Sequence, residues 1–138
     1  MHRPIQEFMQ MANNYPVYGN KEQHINCQAV NSGLFATALT HKRTGFMTAG
    51  GDPNNDYAAD YHGMKMCYAR KTGSGGRGEL TIGARIYELQ YEDPKMVIKT
   101  YIVDENGISH DGEVKSPPSF SWGHQTQCNV DPYAKMFA

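Results

Sequence analysis

Two alternating stretches constrain this chain more than anything else in it. In "ELTIGARIYELQY", residues 79–91, apolar side chains fall on every second position as Leu80, Ile82, Ala84 and Ile86. "MVIKTYIV", residues 96–103, repeats the pattern with Met96, Ile98 and Ile102. Successive side chains of a strand project to opposite faces, so a period of two predicts half-buried β-structure. "MKMCYARK", residues 64–71, alternates as well. The intervening "TGSGGRG" reads as a turn, which predicts that 64–71 and 79–91 pair as one long hairpin. Asp93-Pro94 supplies the next turn, and "DENG" at 104–107 turns the chain into "ISHDGEV". After Pro117-Pro118, "SFSW" is read as a last short edge strand.

Helix is expected at the front. Pro4 to Met11 places Ile5, Phe8, Met9 and Ala12 on one face, with Asn13-Asn14 ending the run. Residues 26–41 carry two competing periods. Asn26 as a cap predicts a helix from Cys27, giving way to strand after Gly33; the rival reading pairs "LFATALTH" with "FMTAG" across "KRTG". The fold class is α+β or mainly β: an antiparallel meander sheet or small curled barrel with a short N-terminal helix. One domain spans residues 1–138, a length sufficient for a single core.

Composition narrows the function classes. Lys plus Arg number 13 against 14 Asp plus Glu, which argues against a general polyanion binder. No apolar run is long enough to span a membrane, and "MHRPIQEFMQMANN" lacks the basic-then-apolar layout of an export signal. The expected location is therefore cytoplasmic, with Cys27, Cys67 and Cys128 as reduced thiols. Neither a metal nor another cofactor is expected, because the six histidines follow no HxH or HExxH spacing.

Four groups of residues bear on chemistry. Cys27 at a helix start has the placement of an activated thiol, with His124 as base and Asp131 or Asn129 to orient it; the plainer reading is a small buried core residue. "GGDPNNDYAADYHG" gathers Asp52, Asp56 and Asp60 as an oxygen-rich loop, but Tyr57 and Gly63 stand where an EF-hand needs Gly and Glu, so an Asx-rich turn is the plainer reading. In the segment read as a hairpin tip at 70–79, Arg70, Lys71 and Arg77 surround four glycines, a composition that suits phosphate, a nucleotide or a nucleic-acid backbone. The rival is a solvated loop. Tyr87, Tyr91 and Tyr101 fall on outer strand positions, too apolar for a face left in water.

These observations point to a non-enzymatic β-rich module acting by self-assembly or partner binding, with a homo-oligomer or protein partner expected. The Met, Asn and Tyr content fits a virus-encoded or accessory structural protein. Two alternatives stand beside it: a small cysteine hydrolase using Cys27 and His124, and an anion or nucleotide binder built on the glycine-rich basic segment 70–79.

Overall fold

The computed structural model describes residues 1–93, 95–110, 114–115 and 124–128. Among the described residues, two helices and eight strands follow one another as α1 (Gln6–Asn14), β1 (Val17–Tyr18), α2 (Leu34–His41), β2 (Phe46–Ala49), β3 (Ala58–Tyr61), β4 (Met64–Tyr68), β5 (Gly83–Glu92), β6 (Lys95–Asp104), β7 (Ser109–His110) and β8 (Val114–Lys115). The strands form two open, mostly antiparallel sheets, a five-stranded one ordered β2-β4-β3-β1-β8 and a three-stranded one ordered β5-β6-β7. The α+β, β-rich class is the one expected. Among the described residues neither sheet closes, so no barrel forms there.

The five-stranded sheet carries the core. β3 and β4 are joined by His62-Gly63, both at positive φ (49° and 82°), the backbone of a tight two-residue hairpin turn. β2 then joins β4 in parallel, pairing Met47 with Met66. Nearly every β3 and β4 residue is buried, because α1 lies against one face. Phe8, Met11 and Ala12 of α1 are fully buried, three positions at helical spacing. The Phe8 ring meets Tyr68 edge-on at 5.0 Å, and the Tyr57 hydroxyl donates to the Phe8 carbonyl at 3.0 Å. Burial drives the Tyr57 and Tyr68 hydroxyls well above the usual tyrosine range.

Local structure departs from the sequence reading in two places. The second helix begins after Gly33, not at Cys27: Gly33 sits at φ 71°, its amide held by the Asn31 side chain at 2.8 Å. Asn26 starts no helix, and its backbone amide donates to Asp52 at 3.1 Å. The other departure concerns pairing. β4 and β5 are not a hairpin; β4 belongs to the first sheet and β5 pairs with β6 over ten residues. The glycine segment is thus a crossover between sheets, anchored where the Gly83 amide donates to the Lys71 carbonyl at 2.9 Å. "SFSW" lies outside the described residues.

Side chains of β5 and β6 fasten the second sheet to the first. Arg85 of β5 donates from Nε to the Tyr68 carbonyl at 2.5 Å, from Nη2 to the Asp56 carbonyl, and from Nη1 to Thr100 Oγ1 at 3.1 Å. Tyr87 stacks on Phe46 of β2 at 4.9 Å. Ile98 of β6 lies against Gly45, where an added Cβ would fall 2.9 Å from its Cδ1, and toward residue 93 the side chains of Leu89, Tyr91 and Met96 are exposed.

Candidate functional site

Register decides what the β5–β6 hairpin offers. Tyr91 is opposite Met96, Leu89 opposite Ile98, Tyr87 opposite Thr100 and Arg85 opposite Ile102, so these eight share one face. Ala84 and Ile86 share the other with Val103 and Tyr101. The apolar residues therefore regroup: Met96, Ile98 and Ile102 lie with Tyr87, Leu89 and Tyr91 rather than opposite them. Along this face burial falls steadily from base to tip. Ile102 is 3% exposed, whereas Leu89, Met96 and Tyr91 reach 55%, 58% and 73%. Of the three tyrosines expected at an interface, only Tyr91 stands on this bare end. Tyr87 is half-buried against Phe46, and Tyr101 on the other face donates to Glu88 Oε1 at 2.9 Å.

The basic residues of segment 70–79 have divided roles. Arg70 is buried in an ion pair with Asp56, their side chains 5% and 3% exposed, and its Nε donates to the Thr81 carbonyl at 2.6 Å. Lys71 donates to the Gly78 carbonyl at 3.2 Å, and Arg77 is exposed. Together with Gly75, Gly76 and Gly78 they line a cleft of about 660 Å³ whose opposite wall is Gln23, Asn26 and the Asp52 loop. Gly78 closes against that wall, since a Cβ there would lie 2.7 Å from Pro53 Cβ, at φ +108°.

The Asp52 loop is an internal scaffold. Asp52 accepts from the Asn26 amide, from the Tyr68 hydroxyl at 2.7 Å and from Gln23 at 3.5 Å; Asn55 accepts from the Glu22 and Gln23 amides at 3.1 Å each. These carboxyl and amide oxygens are committed to protein donors, and Asp60 pairs with Lys65 at 2.9 Å. Among the described residues no three His, Cys, Asp or Glu side chains gather to hold a metal ion. His62 packs on Tyr15, Phe35 and Tyr61, and His110 bonds Asp104 at 3.0 Å.

Cys27 lies fully buried in a disulfide with Cys128, where three reduced thiols were expected. A disulfide sulfur carries no thiolate, so this state has no nucleophile at Cys27. His124 lines a cavity of about 240 Å³ with Lys21, His24 and residues 125–127; burial lowers the Lys21 ammonium from its usual range. Asp131 and Asn129 lie outside the described residues. No signal in the sequence marks this pairing, because the two cysteines are 101 residues apart. Cys67 is buried in β4 and its thiol is pushed up to about 11, chiefly by burial. No described helix is long and apolar enough to cross a membrane.

Comparison with known proteins adds one similarity. The chain is 27% identical over 86 residues to a protein described as "Probable inactive purple acid phosphatase 14" from Arabidopsis thaliana. The match covers 62% of this chain and 21% of that protein, so the chain spans about a fifth of that relative's length. No protein family and no solved structure matches.

Proposed function

We propose that this chain is a non-enzymatic β-rich module that assembles through the bare end of its β5–β6 hairpin, with a second copy of itself as the partner. The observation carrying this reading is the cluster of Leu89, Tyr91 and Met96, each more than half exposed on one face of the β5–β6 hairpin. Large apolar side chains grouped at a protruding end favour burial by about 25 cal/mol per Å². A dimer about a twofold axis uses the same patch on both copies, so this one face can serve both sides of the contact. The relative's description as inactive agrees with a role that needs no catalysis.

The test is mass by light scattering across a micromolar dilution series, on the wild type and on a Leu89→Asp, Tyr91→Glu double variant. Both substitutions lie on the same face, so they place charge directly in the proposed contact. The wild type is expected to gain mass with concentration and the double variant to remain monomeric. A wild type that is monomeric throughout refutes the reading.

A second reading rests on the cleft beneath the glycine segment, which suits a phosphate group or nucleic-acid backbone through Lys71, Arg77 and the exposed amides of Gly75 and Gly76. Arg70 is neutralised by Asp56 and is not part of it. Inorganic phosphate and single-stranded DNA are the probes. A Lys71→Ala, Arg77→Ala variant should weaken binding and flatten its salt dependence, and unchanged binding removes this reading.

A further inference from the structure

We propose that the Cys27–Cys128 disulfide is a redox latch: it clamps residues 124–128 over an apolar patch beside α1, and reduction releases that segment while both sheets stay folded. The two Cα atoms lie 4.9 Å apart across a sequence separation of 101. Among the described residues, the hydrogen bonds that hold the clamped segment centre on Gln125. Its Oε1 accepts from the Ile25 amide at 2.8 Å, and its Nε2 donates to the Ile25 carbonyl at 2.9 Å. Asn13 grips its backbone from the other side, donating to the Gln125 carbonyl at 2.6 Å and accepting from its amide at 3.1 Å.

The segment adds little apolar burial. Gln125 is its one buried side chain and Cys128 is half-buried, while His124, Thr126 and Gln127 are exposed. Phe8, Met11, Tyr57, Met66 and Tyr68 belong to the core cluster, against which Cys128 is the segment's apolar contact. Release therefore draws on the Ile25–Cys27 part of the core cluster. What it uncovers is apolar: Ile25 and Cys27, now fully buried, and Met9, whose Sδ lies 4.0 Å from Cys128 Sγ. It also dismantles the cavity that Lys21 and His24 form with His124 and its neighbours.

Accessibility gives the exchange a direction. Cys128 is the half-buried sulfur and Cys27 the sealed one, so an incoming thiolate reaches Cys128 first. One thiolate of a dithiol attacks Cys128 Sγ, the Cys27–Cys128 bond breaks, and Cys27 leaves as thiolate. The second thiol of the reductant then attacks the mixed disulfide and frees Cys128. Two electrons and two protons pass to the protein, and the reductant ends as its own disulfide. Cys67, buried in β4, takes no part.

The experiment is amide hydrogen exchange on the full chain, oxidised, reduced with dithiothreitol, and as a Cys128→Ser variant. The Ile25 and Gln125 amides should exchange on the order of 100-fold faster after reduction and in the variant. The Tyr68 amide, bonded to the Tyr57 carbonyl at 2.8 Å, should not change. Unchanged exchange at Ile25 overturns the proposal. So does equal acceleration at Tyr68, which makes the bridge a global staple. Three free thiols in the untreated native protein overturn it directly.

Discussion

Replacing Arg70 by methionine should destabilise the fold by about 3–4 kcal/mol. The Arg70–Asp56 pair is nearly sealed from solvent, at 5% and 3% side-chain exposure. Removing one partner of a buried ion pair typically costs about 3–5 kcal/mol, because the survivor remains as an uncompensated charge. Asp56 would still accept from the Asn20 amide at 2.6 Å and the Asn20 side chain at 3.2 Å, which softens the loss. The Thr81 carbonyl loses its donor as well, worth about 1 kcal/mol. Methionine retains the packing of the arginine stem, so the change removes the charge and its hydrogen bonds together. A domain of this size should then melt roughly 10 °C lower. Urea unfolding followed by circular dichroism measures it, with Arg77→Ala, an exposed site, expected within about 0.5 kcal/mol of wild type. An Asp56→Asn, Arg70→Met double variant should lose less than the sum of the single losses. A loss below about 1 kcal/mol for Arg70→Met would refute the assignment of this arginine to internal pairing.

Gly83→Ala should cost about 1–3 kcal/mol in urea unfolding, since the new methyl would meet the Val103 carbonyl oxygen at 2.5 Å and Asp104 Cα at 2.9 Å; a neutral result would mean that the start of β5 yields freely. Asp104 is held below the usual aspartate range, first by its bond to His110 and then by the Ile108 amide. A depressed carboxylate contributes stability that is present above its unfolded value and lost as pH falls through the folded one, so the Ile108 amide resonance should titrate at a lower pH than a free aspartate dictates. His110→Gln should raise that midpoint, and an unmoved midpoint contradicts the pairing. Cys67, with its thiol at about 11, should resist iodoacetamide at pH 8 in the native protein and label only on unfolding.

Strand content was legible and strand pairing was not. The alternation in 79–91 and 96–103 marks β5 and β6 because side-chain direction is a local property. Partner choice is not local: the glycine segment has the composition of a hairpin tip, yet the Gly83 amide docks on the Lys71 carbonyl and the chain crosses to another sheet. The register of β5 on β6 also moved Leu89 and Tyr91 onto the face of Met96 and Ile98, which no period-two reading of single strands can give. Helix α2 was displaced because a glycine at φ 71° starts it, where sequence rules favour a side-chain cap. Among the site residues, Arg70 looked like a surface cation and is a buried partner of Asp56, since burial depends on a carboxylate fourteen positions away. The disulfide joined two cysteines with no spacing pattern between them.

The central claim is that a second copy covers the face of Leu89, Tyr91 and Met96, and methionine oxidation reads that cover directly. In a single copy Met96 is 58% exposed and Met1 45%, so both thioethers are open to peroxide. If the hairpin end docks, sulfoxide formation at Met96 should slow several-fold as protein concentration rises, while Met1 keeps its rate. Met96 oxidising at the pace of Met1 at every concentration would contradict the account.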